Sequence, residues 1–314
     1  MATSGQYDFK LVTSEIILDA CEHMGIQIVG EALGADEYKS LLRSLNMMIK
    51  AWQAEGIGLW LNQQIAIFPN LNDQSITLGP TGGNTSMRAG VIANTLDVAA
   101  LTAATTITLA NATGIVTGMF IGVQLDSGYL QWTTVNGAPV GNVVTLTAAL
   151  TGDCAAGNVV YTYTSKMQRP KSLVELRRVD YVSGIEIPLI LISRDEYMSL
   201  PLKSAVGPPN SAYYDPQTNN GTLYLWPTID TVQTRLVGTV RVPVQDFSAA
   251  TDDADFPPEW GEALTYNLAV RGGTKYAIPE ITWNRLLAMA ATTKDTLMAF
   301  DTEDTSLFLT VARY

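Results

Sequence analysis

The sequence predicts an α+β fold: a helical bundle built from N- and C-terminal helix pairs, an antiparallel β lobe, and a small inserted all-β module, either a barrel or a sandwich. Three observations predict it. Near both ends of the chain, apolar residues recur every three or four positions, which is typical of amphipathic helices. Most of the middle alternates between apolar and polar residues, as strands do. Within that middle, one long stretch is nearly free of charge.

The first helix pair is predicted before residue 60. One helix spans 13–24 and ends at Gly25, and a second spans 36–55 and ends at Gly56, because glycine readily adopts the left-handed conformation that terminates helices. Two carboxylates in the first turn of the second helix suit its dipole. Its apolar stripe comprises Leu41, Leu42, Leu45, Met48, Ile49 and Trp52.

The β lobe is predicted from two regions, 61–80 and 166–247, where short alternating runs are separated by turn residues. Between them, residues 89–164 contain three charges (Asp97, Asp126 and Asp153). Two parts of this stretch look alike, one starting at Thr108 and the other at Thr145. Such repetition indicates a small barrel or sandwich with internal pseudo-symmetry. The predicted domains are therefore 1–84 with 165–314 as one core, and 85–164 as the inserted module.

The second helix pair is predicted at the end of the chain. One helix opens with Asp255 as its cap and stops at Gly272 and Gly273, and the next begins near Pro279. The apolar stripe of the last helix comprises Trp283, Leu286, Leu287, Ala290 and Leu297. Neither helix pair can bury its stripe alone, so we expect both to meet in one bundle.

Composition limits the classes of function. The 314 residues are 47% apolar and only 16% charged, which argues against global disorder. A chain so poor in charge either buries much of itself or hides surface against other subunits. The net charge of −11 argues against binding DNA through its phosphates, although DNA can slide past an acidic surface. No run is long and apolar enough for a membrane span, and the N-terminus lacks the layout of a secretory signal. Cys21 and Cys154 are predicted to be free thiols of a protein made in a reducing cytoplasm.

Candidate catalytic and ligand-binding residues are few. His23 is the only histidine, and Cys21 with His23 is too small a set of ligands for a metal site. Carboxylates cluster in two places, which helix N-terminal acidity and a solvated tail explain. These clusters are Asp252, Asp253 and Asp255, and Asp301, Glu303 and Asp304. Glu259 and Glu262 form a pair with the chemistry for acid–base work on a glycan. No glycine pair has phosphate-loop spacing, so a nucleotide site is not predicted. Together with the single histidine and the explained carboxylates, this leads us to expect no catalytic residue, no metal and no cofactor.

The tryptophans divide into two groups. Core packing is the favoured interpretation of Trp52 and Trp283, whereas Trp60 and Trp260 lie near helix ends and are predicted to anchor subunit contacts. In the inserted module, Trp132 and Tyr129 have two interpretations. One is a place in the module core, and the other is a surface on which sugars stack.

The run LNMMIKAWQAEGIGLW from Leu45, a strand leaving it, and the late run PPEWGEALTYNLAVR from Pro257 together resemble the head-to-tail adaptors of short-tailed bacteriophages. That family is also called the tail accessory or packaged-DNA stabilisation proteins. The resemblance covers roughly residues 10–80 and 165–300 and rests on pattern and order. It does not extend to the inserted module.

The resemblance implies a structural virion protein at the neck, between head and tail. Twelve copies would form a ring beneath the portal ring, retain packaged DNA, line its exit channel, and meet the tail nozzle or tail fibre proteins. Independently of the resemblance, the alternation of the chain end permits it to dock on the portal as an added strand, although short chain ends are more often mobile. The residues of this predicted docking tail are Leu307, Phe308, Leu309, Val311 and Tyr314. Two other classes stay open: a virion-associated peptidoglycan hydrolase using Glu259 or Asp253, and a glycan-binding module on a helical scaffold.

Overall fold

The computed structural model describes residues 9–26, 33–56 and 59–300, without the side chain of Phe300. Its contacts divide the chain into two compact units. The helical unit comprises residues 1–61 and 244–314, and the strand unit comprises residues 62–243.

Five α-helices lie in the described part of the chain. They are α1 (Thr13–Met24), α2 (Ala35–Glu55), α3 (Arg194–Ser199), α4 (Gly261–Gly273) and α5 (Glu280–Phe300). The short helix α3 belongs to the strand unit, and the other four belong to the helical unit. Within the helical unit, α4 packs against α1, α2 and α5.

Helices α1 and α2 confirm the sequence prediction of an N-terminal helix pair. Gly25 ends α1 with φ +72° and Gly56 ends α2 with φ +92°, the left-handed conformation that favours glycine. Of the predicted stripe on α2, only Leu42 is not fully buried. The buried members are Leu41, Leu45, Met48, Ile49 and Trp52.

Helix α4 differs from its prediction at its start. It begins at Gly261, directly after a 3-10 turn at Pro258–Trp260, so Asp255 does not cap it. It ends at Gly273, as predicted, with Gly272 and Gly273 in its last turn. Their small size has a packing reason: a Cβ at Gly272 would lie 2.8 Å from Leu41 Cδ2 on α2. The glycine therefore permits close approach of the two helices.

Fifteen short strands build the strand unit. In chain order they are β1 (Asn62–Ile67), β2 (Ser75–Leu78), β3 (Thr85–Met87), β4 (Ile92–Thr95), β5 (Thr106–Thr108), β6 (Phe120–Gln124), β7 (Leu130–Thr134), β8 (Val143–Thr145), β9 (Val159–Tyr163), β10 (Ser172–Asp180), β11 (Glu186–Pro188), β12 (Ile190–Leu191), β13 (Ser211–Asp215), β14 (Gly221–Trp226) and β15 (Thr234–Arg241). They form four sheets, ordered β11-β10-β15-β1-β3, β12-β13-β14-β2, β4-β9-β6-β7 and β5-β8. All pairings are antiparallel except that of β12 with β13.

The two halves of the inserted stretch that look alike in sequence pair with each other, since β5 pairs with β8 and β6 pairs with β9. Sixteen buried side chains, including those of Leu109 and Leu146 at equivalent positions of the halves, form one apolar core. The stretch is also tied to the rest of the strand unit. Tyr163 donates a hydrogen bond of 2.8 Å to Asn84 Oδ1, and Asn70 Oδ1 accepts one of 2.9 Å from Leu130 N.

The predicted fold class, a helical bundle with a β lobe, is wrong. The structure is mixed, with 28% helix and 29% strand, and its described residues form five helices and four sheets, which is not a helical bundle. The reason is physical. A helix of 12 to 21 residues repeats its apolar pattern several times, whereas a strand of three to five residues shows little pattern even when it is buried. The many weakly patterned strands together contain about as many residues as the helices do.

Candidate functional site

Helix α5 is bound to the helical unit along one narrow side. Only Leu286 and Ala290 are buried among its described side chains. Asn267 on α4 donates from Nδ2 to the carbonyl of Ala290 at 3.1 Å, and so joins the two helices in their middle. The Trp283 ring packs against Gly273 at the end of α4. The contact is so close that a Cβ at Gly273 would lie 2.6 Å from the ring.

Near its other end, α5 is bound to α2. Lys294 Nζ lies 2.6 Å from Glu55 Oε2 and 5.6 Å from the ring centroid of Trp52. The ion pair is partly exposed and contributes little alone. Together with the ring contact, it fixes which side of α5 faces the rest of the unit.

The opposite side of α5, here called the α5 outer face, is exposed and carries apolar side chains among a few polar ones. At about 100° per residue, its members project away from Leu286, with Leu287 at the margin nearest Lys294. They are Glu280, Ile281, Asn284, Leu287, Ala288, Ala291, Asp295 and Met298. Ile281 is 78% exposed and Leu287 is 41% exposed. An apolar helix face open to water over about 30 Å is typical of a protein–protein contact.

This face was not predicted from the sequence. Leu287 was predicted to lie in the buried stripe of the last helix, and it is exposed. The signal was present, because α5 carries apolar residues on all sides, and a surface helix of a monomer does not.

A groove lies beside α5 in the helical unit. It has a volume of about 460 Å³, and its lining includes Glu22, His23, Tyr266, Arg285 and Met289. The rings of His23 and Tyr266 stack with centroids 4.4 Å apart and planes 14° apart. His23 is therefore a half-buried packing residue of α1. Cys21, also on α1, is a free thiol whose pKa burial raises to about 11.

The two tryptophans predicted to anchor subunit contacts lie together in the helical unit. Trp260 is 2% exposed and contacts Trp52, Trp60 and Phe256. Trp60 is half-buried and donates from Nε1 to the carbonyl of Asp255 at 3.3 Å. Each ring thus has partners within the chain, and a role for either in subunit contacts stays a prediction.

The carboxylates considered for catalysis hold different positions. Asp253 and Glu259 are exposed, and so is Glu262 on α4. Asp252 is bound within a turn, since its Oδ2 accepts hydrogen bonds from Ser248 and Ala249. Hydrogen bonds to its charged form hold the pKa of that carboxyl below its ordinary value. A structural role explains Asp252 fully.

The aromatic residues of the inserted stretch separate in the structure. Trp132 is half-buried and packs against Phe68 and Tyr163, with centroids 5.5 and 5.4 Å away. Tyr129 is 45% exposed. Two of the three carboxylates of this stretch bind turns: Asp126 accepts from Ala155 N, and Asp153 accepts from Thr102 N, each at 2.7 Å.

Within residues 9–26, 33–56 and 59–300, no helix is both long and apolar enough to cross a bilayer. The same ranges contain no group of three or more His, Cys, Asp or Glu positioned to hold a metal ion. Asp301, Glu303, Asp304 and the predicted docking residues Leu307, Phe308, Leu309, Val311 and Tyr314 lie outside the described residues.

Comparison with known proteins adds no relative. No protein-family model matches the chain, and no curated protein matches it significantly. The candidate site therefore rests on the geometry of α5.

Proposed function

We propose that this chain is a structural adaptor that assembles with further copies of itself into a ring at the neck of a short-tailed phage. The ring would join the portal to the tail nozzle or fibres, help to retain packaged DNA, and let it pass through the channel. The α5 outer face carries this proposal, because an apolar helix side open to water requires a partner surface.

Charge distribution supports the same function. Residues 1–61 and 244–314 contain nine Lys or Arg and nineteen Asp or Glu, a formal charge of −10. Such a unit repels nucleic acid, as the wall of a DNA channel should. The order of elements also resembles that of the adaptor family at the residues quoted above.

The two other classes receive less support. A hydrolase using Glu259 or Asp253 would need a carboxylate in a cleft, and both residues are exposed. A sugar-stacking surface would need several open aromatic faces. Tyr129 is 45% exposed, but the Trp132 ring packs against Phe68 and Tyr163.

Mass photometry tests the proposal. The purified chain is mixed with the portal ring of the same virus, and the mass of the complex is compared with that of the portal alone. We expect growth in steps of 33.9 kDa up to about twelve copies. Absence of any complex at micromolar chain concentration would refute the adaptor function. So would peptidoglycan turnover that disappears in Glu259→Gln.

A matched pair of variants tests the role of α5. Ala291→Arg places a long charged side chain in the α5 outer face, whereas Ala138→Arg makes the same change at an exposed loop position of the strand unit. We expect Ala291→Arg to reduce the number of bound copies at least tenfold and Ala138→Arg to bind as the unchanged protein does.

A further inference from the structure

The strand unit has its own concentration of exposed apolar side chains. Eight of the 22 large apolar side chains exposed in the described residues lie between positions 182 and 206. We call this set the edge face: Val182, Ile185, Ile187, Ile190, Leu191, Met198, Leu202 and Val206. Val182 is 75% exposed and Ile190 is 67% exposed. Single exposed apolar residues are ordinary, but a concentration of this kind marks a contact surface.

Three members of the edge face, Ile187, Ile190 and Leu191, lie on the outermost strands of two sheets, and the other five lie in the adjoining turns and loops and on α3. β11 is the edge of the five-stranded sheet, and β12 is an edge of the four-stranded sheet that contains β13. Pro188 ends β11 and has no N–H to offer a further strand. The partner is therefore expected to pack on the side chains rather than to extend either sheet.

Two arginines flank the edge face. Arg178 lies directly opposite Ile187 in the β10–β11 pair, so their side chains are neighbours on one side of the sheet. Arg194 begins α3, three residues after Leu191. Among the ion pairs formed in the described ranges, none includes Arg178 or Arg194. An apolar surface with unpaired cations at its margin fits an apolar surface that carries carboxylates.

The α5 outer face has that chemistry. It carries Glu280 and Asp295, which also form no ion pair within the described residues. Their separation of fifteen positions corresponds to roughly 22 Å along the helix. Net charge agrees with this assignment: the helical unit has a formal charge of −10, and the strand unit, with ten Lys or Arg and eleven Asp or Glu, has −1.

We propose that the edge face of one copy binds the α5 outer face of a second copy. Because the two surfaces differ, this contact is heterologous, and a heterologous contact that closes produces a ring. The inference rests on the proposed ring function and deepens it, since it names both sides of the lateral contact. Complementary charges set its register and direction.

Charge reversal tests the contact. Arg178→Glu/Arg194→Glu makes the edge face acidic, and Glu280→Arg/Asp295→Arg makes the α5 outer face basic. Each double variant is mixed with the portal ring of the same virus and its bound copies are counted by mass photometry. We expect each to lose at least nine tenths of the copies. An equimolar mixture of the two, which can alternate around a ring with every contact complementary, is expected to restore full occupancy.

The controls separate this inference from the proposed function. Lys39→Glu/Arg43→Glu on α2 changes the net charge as much as Arg178→Glu/Arg194→Glu does, but outside both faces, and is expected to assemble normally. Normal assembly of both double variants would refute the contact and leave the adaptor function standing. Failure of the unchanged chain to join the portal would refute both.

Cysteine cross-linking keeps the inference testable if a charge variant misfolds. Both native thiols are buried, so introduced surface cysteines react selectively. In assembled rings, oxidised Ile190→Cys/Ala291→Cys should give a ladder of linked chains, and Ile190→Cys alone or Ala291→Cys alone should give none. A dimer from Ala291→Cys alone would place α5 against α5 and overturn the proposal.

Discussion

The ring centroids of Trp60 and Trp260 lie 5.3 Å apart, although 200 positions separate the two residues in the chain. The ring centroids of Trp52 and Trp260 lie 5.8 Å apart, and Lys294 Nζ lies over the Trp52 ring, 5.6 Å from its centroid. Aromatic contact of this kind joins α2, the start of α4 and α5 into one core. The two ends of the chain are thus held together by a few large side chains, each of which should be costly to remove.

Trp52→Ala is expected to destabilise the helical unit by about 3–5 kcal/mol, since it leaves a large cavity beneath Trp260 and Lys294. Urea unfolding followed by circular dichroism measures the change. Met47→Ala on the same helix is the control, because Met47 is 54% exposed, and its cost should stay within about 0.5 kcal/mol. Equal effects of the two substitutions would contradict the packing assigned to Trp52.

Gly122→Ala is expected to destabilise the strand unit by about 1–3 kcal/mol through overpacking. Gly122 on β6 lies opposite Trp132 on β7, and an added Cβ would lie 2.7 Å from the indole ring. Thermal unfolding of Gly90→Ala supplies the comparison, since a Cβ there meets nothing within 4 Å. A melting temperature for Gly122→Ala equal to that of the unchanged chain would show that the indole moves aside freely.

The sequence predicted the parts of the fold that repeat their signal. Glycine placement predicts the ends of α1 and α2, and the apolar period of α2 predicts that Trp52 is buried. The small number of cysteines predicts two free thiols. The start of α4 could not be predicted in this way. Asp255 has the chemistry of a helix cap, but a 3-10 turn at Pro258–Trp260 separates it from the helix.

The candidate site could not be predicted for a different reason. Periodicity identifies a helix with apolar residues, but it cannot choose which of two apolar sides faces the core when both are present. In α5, the choice is made by Asn267 on α4, which bonds to Ala290, and by Glu55 on α2, which pairs with Lys294. Leu287 was therefore assigned to the wrong side. The fold class failed because the evidence for strands was spread over fifteen short segments.

Alkaline pH is expected to destabilise the protein from about pH 9 upward. Burial raises the pKa of both Cys21 and Cys154 to about 11 from an ordinary 9.0. The folded state then favours the neutral thiols. Their contribution to the free energy of unfolding is complete below pH 9 and is lost as pH rises toward 11. Urea midpoints measured between pH 8 and pH 11 should fall, and should fall less steeply for Cys21→Ala/Cys154→Ala. Parallel curves would show that the thiols are accessible to water.

Asp252→Asn is expected to weaken the attachment of α1. No side chain caps that helix; its first amides bond to a turn instead, with Thr13 N 2.9 Å from the carbonyl of Asp252 and Ser14 N 3.0 Å from that of Ala250. The Asp252 carboxylate shapes the turn by accepting from Ser248 N and Ala249 N, each at 2.7 Å. Loss of its charge should loosen the turn and leave the helix amides unpaired.

The pH dependence of Asp252→Asn shows whether the negative charge of the carboxylate, and not only the shape of the side chain, organises the turn. Hydrogen bonds from Ala249 and Ser248 hold the pKa of Asp252 below its ordinary value of 3.8, so its contribution is present above that pH and is lost as pH falls through the lowered pKa. The urea midpoint of Asp252→Asn should lie below that of the unchanged chain at pH 7, and the difference should shrink on acidification. Asp253→Asn is the matched control, because Asp253 is exposed and pairs with Val12 through its backbone. A gap between Asp252→Asn and the unchanged chain that stays constant from pH 7 to below the lowered pKa would mean that the carboxylate charge does not organise the turn.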